Sequence, residues 1–392
     1  MADPVQARRV GGYEGDALET AVESIFAALP AAERIGPDTK VLLKPNLLAK
    51  HTPDKAVTTH PAVLAAVIHA VRRRGAKSIV VADSAGGPAT PALMRGIYRA
   101  SGLEEVCNAE NVPLWTGTES GTRRAPEGGL VSEFNLIQPV LDADFIIDLP
   151  KLKTHMMTGV TAAVKNLFGC VPGLQKAEFH MRFPQKEHFG SMLIDLLGTV
   201  RPDMAILDGV MALEGDGPAG GDPRFVGLVL GGEDLLQMDL AVCGLVGLDP
   251  ARVPYLEAAR LRGLCPARFD PALWQGDFPY EPIEGFVLPR SYQGGRESTD
   301  FAEGYPAILR PLLQMGERAI APRPVIEPDK CIGCGKCAQI CPQQVIELKA
   351  AGQGRKAHIH PRHCIRCFCC HEVCPVKAID VRRFALFRLF ER

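Results

Sequence analysis

The chain has 392 residues, 46% hydrophobic and 23% charged, which excludes a disordered, collagen-like or low-complexity chain and allows two or three domains. A formal net charge of −1 supplies no global basic field, so no nucleic-acid partner is expected. No apolar run approaches the roughly 18 residues of a membrane span, and the N-terminal MADPVQARRV lacks the apolar stretch of a signal peptide, so the expectation is a cytoplasmic protein with no transmembrane segment.

Residues 1–320 read as alternating helices and strands. In chain order they are a helix over Asp16–Leu29, a strand over Val41–Leu43, a helix over Pro61–Arg74 and a strand over Ser78–Ala82. A helix over Ala92–Ala100, closed by Gly102, precedes the strand Asp144–Leu149 and the helix Glu187–Val200. The strands Met204–Leu207 and Phe225–Leu230 lead to a helix over Leu235–Val246. Strands alternating with helices of this length imply an α/β fold, a mostly parallel sheet flanked by helices. A Pro-rich linker at 321–328 then separates this body from a cysteine-rich module at 329–381 and an amphipathic tail at 382–392. The tail spaces Phe384, Phe387 and Phe390 between arginines and is expected to dock on the body.

Nine of the thirteen cysteines lie between Cys331 and Cys374. Such clustering points to metal ligation rather than to a disulfide scaffold. Cys331-Ile-Gly-Cys334-Gly-Lys-Cys337-Ala-Gln-Ile-Cys341-Pro342 fits C-x₂-C-x₂-C-x₃-C-P, and Cys364-Ile-Arg-Cys367-Phe-Cys-Cys370-His-Glu-Val-Cys374-Pro375 fits it again. Zinc ribbons use two C-x₂-C pairs per ion, so three cysteines in one turn followed by a fourth and a proline favour iron–sulfur. The C-x₃-C-x₂-C run of radical S-adenosylmethionine enzymes is absent.

The two runs resemble the bacterial two-cluster ferredoxins, a small α+β domain. The resemblance implies two 4Fe-4S clusters, with the fourth cysteine of each run ligating the other cluster. One cluster then takes Cys331, Cys334, Cys337 and Cys374, and the other Cys364, Cys367, Cys370 and Cys341. Cys369 is left over as a non-ligand thiol. The connection between the runs contains a glycine-rich turn, Lys349–Arg355, longer than a minimal ferredoxin needs, which reads as an interaction loop between strands Val345–Leu348 and Ala357–Ile359. Residues 325–392 hold twelve Lys+Arg against six Asp+Glu. A bound oxidised cluster with four thiolates contributes about −2 and cancels part of that excess. What remains suits docking on the acidic body or on a redox partner protein.

The strands of the body run out into polar residues: Lys44-Pro-Asn46, Asp83-Ser84, Lys151-Leu-Lys153-Thr-His155 and Asp208-Gly209. Ligands of open α/β sheets sit just beyond the carboxyl ends of strands, so these ends are expected to share one site. Lys151, Lys153, His155, Lys165, Lys176 and His180 concentrate positive charge that suits a small anionic substrate, with the neutral Asn166 among the candidate binding residues; a solvated basic face is the plainer alternative. A helix over Gly159–Phe168 would add N-terminal amides to anion binding. His155 or His180 can serve as a general acid, and Asp83 or Asp208 can move a proton or orient a lysine. Glu214–Asp222 reads as a glycine-rich acidic turn. With no G-x-x-x-x-G-K-[ST] and no G-x-G-x-x-G after a strand, ATP hydrolysis and Rossmann dinucleotide binding find no support.

Lys44-Pro-Asn46, Lys151–His155, Lys165-Asn-Leu-Phe-Gly169, Asp208-Gly209 and Glu214–Pro218 together resemble the domain of unknown function 362, over roughly residues 5–310. Members of that family often carry a two-cluster ferredoxin at the C-terminus. The resemblance therefore implies the architecture and the iron–sulfur content but supplies no substrate. The expected function is a redox protein whose clusters exchange electrons with an anionic substrate in the body. A non-catalytic carrier or adaptor that recognises a redox partner is the second reading, and a cofactor- or metal-assembly protein the third.

Overall fold

The computed structural model describes residues 3–87, 90–292, 323–351 and 354–382. Among these residues the body is organised on a nine-stranded sheet. The first strands are β1 (Val5–Arg9), β2 (Lys40–Pro45) and β3 (Ser78–Val81), followed by a separate hairpin of β4 (Ser120–Arg124) and β5 (Glu133–Ile137). The sheet continues with β6 (Phe145–Leu149), β7 (Lys151–His155), β8 (Gly159–Thr161) and β9 (Met204–Glu214). It ends with β10 (Asp222–Gly232) and β11 (Trp274–Gly276). The spatial order is β11-β1-β10-β9-β6-β2-β3, with β7 alongside the far half of β9 and β8 paired to β7.

The stretch β3-β2-β6-β9 is parallel, while β10 runs antiparallel between β1 and β9. Most strand pairs are therefore parallel, and helices flank the sheet as the alternation of elements implied. Apolar side chains on the two faces feed separate cores. One is built on Val22, Phe26, Leu64 and Val67, the other on Phe189, Leu193, Val242 and Tyr255. The expected helices over 61–74, 92–100 and 235–246 are found as Pro61–Arg73, Pro91–Ala100 and Leu235–Val246. His60, Thr90 and Asp234 cap their first turns through side-chain acceptors.

Two expectations are corrected. Gly159–Phe168 is not one helix: Gly159 sits at φ 78° and opens β8, and only Ala163–Asn166 is α-helical before a 3₁₀ turn over Leu167–Cys170. The N-terminal amides of the short helix that does form are already engaged, since Ala163 N and Val164 N donate to the buried Asp239 carboxylate at 2.7 and 3.0 Å. The Pro-rich linker is also shorter than expected. Arg323–Ile326 forms β12, which pairs antiparallel with β15 (Ile379–Arg382). Proline is tolerated there because a two-stranded ribbon has an open edge that requires no donor.

The rest of the module is a hairpin of β13 (Ile346–Ala351) and β14 (Gly354–Ile359), with short helices at Lys336–Ile340 and Cys369–Glu372. The first two residues of the expected linker and the tail phenylalanines Phe384, Phe387 and Phe390 lie outside the described residues.

Helix Lys186–Val200 meets helix Pro254–Leu261 at Gly190, where a Cβ would run into the Pro254 carbonyl. Gly190→Ala gains about 1 kcal/mol of helix propensity but must separate two packed backbones, which costs about 1–3 kcal/mol or more. The net expectation is a lower thermal midpoint for the body at unchanged iron content, measured by calorimetry and iron assay.

Candidate functional site

Register decides which strand ends meet. Lys44 of β2 stands opposite Asp148 of β6, and Leu43 opposite Val81 of β3, so their carboxyl ends are level. The buried Lys44 ammonium lies 2.6 Å from Asp83 Oδ2 and donates to the Pro45 carbonyl at 2.9 Å. Burial opposes its charge, but Asp83 and Asp148 outweigh burial and raise its pKa above the usual lysine value. A Cβ at Gly169 would collide with both members of this pair, so glycine is the residue that leaves room for it.

A directional chain of hydrogen bonds crosses the floor. Lys153 Nζ donates to Asn46 Oδ1 at 2.7 Å and to the Val57 carbonyl at 2.8 Å. Asn46 Nδ2 donates to Asn166 Oδ1 at 2.7 Å, and Asn166 Nδ2 to Asp148 Oδ1 at 2.8 Å. Lys153 has neutral acceptors but no ion-paired carboxylate among the described residues, and burial together with nearby Lys165 lowers its pKa to about 7. Burial raises Asp148 to about 8.

His155 ends β7. Its Nδ1 accepts from the amides of Met157 and Thr158 at 3.1 and 3.3 Å, which places the ring proton on Nε2. That Nε2 approaches Glu372 Oε1 of the module to 3.3 Å without hydrogen-bond alignment. Burial and Lys165 lower His155 to about 4, so the imidazole is neutral at ordinary pH. Glu372 stays ionised against its own burial, held down by His155 and Lys165.

These groups open on a cleft between body and module. The body contributes Asn46, Asp83, Lys153, His155, Thr161, Lys165, Asn166, Phe168, Lys176 and His180, and the module contributes Ile340, Cys369, Glu372 and Val373. Lys165 and Lys176 place their ammonium groups 5.7 and 5.8 Å from the Phe168 ring centroid. Lys176 also donates to the Ser84 carbonyl, and burial lowers its pKa to about 8. His180 stacks on Phe189 at 4.6 Å and is lowered to about 3 by burial. Among the described residues, four buried polar atoms on the cleft walls have no hydrogen-bond partner: Asp83 Oδ1, His155 Nε2, Thr161 Oγ1 and His180 Nδ1.

Lys151 and Asp208 do not line the cleft; they form a second buried network. Lys151 Nζ lies 2.7 Å from Asp208 Oδ2 and 2.9 Å from Tyr13 Oη, while Tyr13 donates to Asp208 Oδ1 at 2.8 Å. Tyr13 stacks on His60 at 3.5 Å, and burial lowers His60 to about 4. Lys44 stands behind Asp83, and Ser84 behind Lys176, as supports. Sequence reasoning missed Glu372, Thr161, Phe168 and Tyr13. Glu372 carried no local signal, because it sits inside a cysteine run.

In the module, one cavity is lined by Cys331, Cys334, Cys337 and Cys374, and another by Cys341, Cys364, Cys367 and Cys370. These are the two crossed sets, and each supplies four soft sulfur donors to one small apolar space, which fits an iron–sulfur cubane. Backbone amides aim at the sulfurs: Ala378 N at Cys374 Sγ (3.1 Å) and Ala357 N at Cys331 Sγ (3.5 Å). Cys369 lines neither cavity and faces the cleft.

Fold and cysteines define an iron–sulfur protein with an α/β body and a ferredoxin-type C-terminal domain. Residues 41–244 match the domain of unknown function 362 and residues 330–378 a 4Fe-4S dicluster domain; the chain belongs to the domain-of-unknown-function-362 family and binds 4Fe-4S clusters. It is 36% identical over 268 residues to the thylakoid-associated protein sll1697 of Synechocystis, covering 68% of this chain and 81% of that one. Over 25 residues, 6% of this chain and 42% of the other, it is 52% identical to ferredoxin-2 of Desulfomicrobium norvegicum. Among solved structures, the lactate racemase apoprotein of Thermoanaerobacterium thermosaccharolyticum aligns over 61% of this chain and 56% of its own, at 10% identity and a TM-score of 0.38. No helix among the described residues is long and apolar enough to cross a membrane.

With Lys153 near 7 and Lys176 near 8, both gain protons as pH falls, so anion affinity should rise in the same direction. Sulfate, whose charge is constant over this range, should bind about tenfold tighter at pH 6 than at pH 9 by calorimetry, each lost charge being a unit less attraction in a low-dielectric site. A pH-independent affinity would contradict the assignment.

Proposed function

We propose that the protein is an oxidoreductase for a small anionic substrate, which binds in the cleft and exchanges electrons with two 4Fe-4S clusters. The clusters are assigned to Cys331, Cys334, Cys337 and Cys374 and to Cys341, Cys364, Cys367 and Cys370. One observation carries the reading. Helix Cys369–Glu372 is a wall of the cleft through Cys369 and Glu372, while its Cys370 belongs to the second cysteine cavity. A substrate in the cleft is thus one helical turn from a set of cluster ligands.

When bound, the clusters supply or accept one electron at a time, and a redox partner protein completes the circuit. The chain's own groups do the rest. Lys165 and Lys176 hold the anionic end of the substrate over Phe168. Lys153, near pKa 7, can hold or release a proton at Nζ at neutral pH. His155 presents a neutral Nε2–H to developing negative charge. Asp83 orients Lys44 and turns its free Oδ1 to the cleft. Oxygen-labile clusters and unpaired thiols favour a reducing compartment, which supports a cytoplasmic location.

The test is native mass spectrometry on protein purified without oxygen. The expected mass is the polypeptide plus two cubanes plus a small anion, and the last should disappear in Lys165→Ala/Lys176→Ala. Two cubanes with no ligand, and no difference between the proteins, would favour a carrier or adaptor; zinc would overturn the reading. Once the ligand is identified, His155→Ala should lower kcat by about 10²–10⁴ with both clusters retained, the usual span for a positioned acid or base. Cys369→Ser should keep the full iron content, whereas Cys341→Ser should lose one cluster's electron paramagnetic resonance signal.

A further inference from the structure

We propose that the hairpin joining the two cysteine runs carries a separate divalent transition-metal site of the zinc class, formed by Glu347, His358 and His360. The strand period of two, carried one residue past the end of β14 where His360 N still donates to the Val345 carbonyl at 2.8 Å, puts His358 and His360 on one face. The register sets Glu347 of β13 directly opposite His358. One donor atom from each of the three lies within 4.8 Å of the others. His360 Nε2 is already 2.7 Å from Glu347 Oε1, and the two imidazole centroids are 5.2 Å apart.

A zinc ion bound at about 2.0–2.2 Å in tetrahedral geometry draws its ligand atoms to roughly 3.3–3.5 Å from one another. All three side chains are exposed, so rotations about their own bonds close that gap while the paired backbone stays fixed. Two imidazoles and a carboxylate select zinc, nickel or copper over magnesium and calcium, which prefer oxygen alone. Lys349 also touches Glu347 Oε1, at 2.7 Å, but an ion pair between two groups this exposed is worth little and yields to a metal. Three protein ligands leave one position for water or for a donor from another molecule.

The site is distinct from the cysteine cavities yet adjoins one of them. Ala357, next to His358, donates its amide to Cys331 Sγ at 3.5 Å, and Lys356 donates to the Cys331 carbonyl. A metal clipped across β13 and β14 braces the strand that supports this cysteine. The inference does not depend on any substrate in the cleft. It gives a role to the glycine-rich connection that the proposed electron transfer leaves unused.

The test uses the anaerobic protein with its clusters in place, titrated with Co²⁺ and then Zn²⁺. One equivalent of Co²⁺ should bind with the visible d–d bands of nitrogen and oxygen ligands and no thiolate charge-transfer band, and Zn²⁺ should displace it. His358→Ala/His360→Ala should weaken binding at least about tenfold, as loss of ligands or of their supports does, with unchanged cluster absorbance; His188→Ala, an exposed histidine elsewhere, should bind as wild type. Equal affinity in the double variant, absence of binding, or a thiolate band would overturn the site.

Discussion

A buried ammonium must be answered by a charge or by full hydrogen bonding, and the carboxyl edge of this sheet is built around that requirement. An uncompensated ion inside a protein costs several kcal/mol even after relaxation. Lys44 and Lys151 meet the condition with Asp83 and Asp208, each within 2.7 Å. Lys153 meets it halfway, with an amide oxygen and a carbonyl, and its proton is correspondingly loosely held. Lys165 has no hydrogen-bonded or ion-paired partner among the described residues, and Lys176 has only the Ser84 carbonyl. The gradient runs from rigid structural pairs at the floor to under-compensated charge at the mouth, and the anion proposed above is a ligand that would complete it.

The module closes the same electrostatic account from above. Among the described residues Glu372 is the one module carboxylate on the cleft wall, and it faces His155 while influencing Lys165 and His180. Its position depends on how the module sits. Arg290 bridges Asp216 of the β9–β10 turn to Asp380 of β15, at 2.6 Å to the latter, and Lys377 donates to the Gly221 carbonyl at 3.1 Å. The glycine-rich turn therefore works as a docking surface for the module. The cleft belongs to neither part alone, which is why the family match over 41–244 and the dicluster match over 330–378 each describe only one of its walls.

What could be read ahead of the structure followed from local rules. Caps, glycine stops and apolar spacing located Pro61–Arg73, Pro91–Ala100 and Leu235–Val246 to within a residue or so, because those signals act over a single turn. Gly159–Phe168 misled for the same reason: its local pattern suits a helix, but pairing with β7 and the carboxylate of Asp239 are tertiary events. The polar strand ends were recognisable as a set, yet they divide in space. Asp83, Lys153 and His155 reach the cleft, whereas Lys151 and Asp208 turn to Tyr13 and His60.

By itself the sequence determined the iron–sulfur chemistry, since the spacing of thiolates along a turn is a covalent property of the chain, and it determined the alternation that makes an α/β body. Only the tertiary structure decided which lysines are neutralised and which remain available. It also decided that Glu372 and Cys369 stand beside them, and that Glu347 meets two histidines across a hairpin. Burial, register and the docking of one folded part on another set those distances, and none of the three is written in the spacing of residues along a single strand or helix.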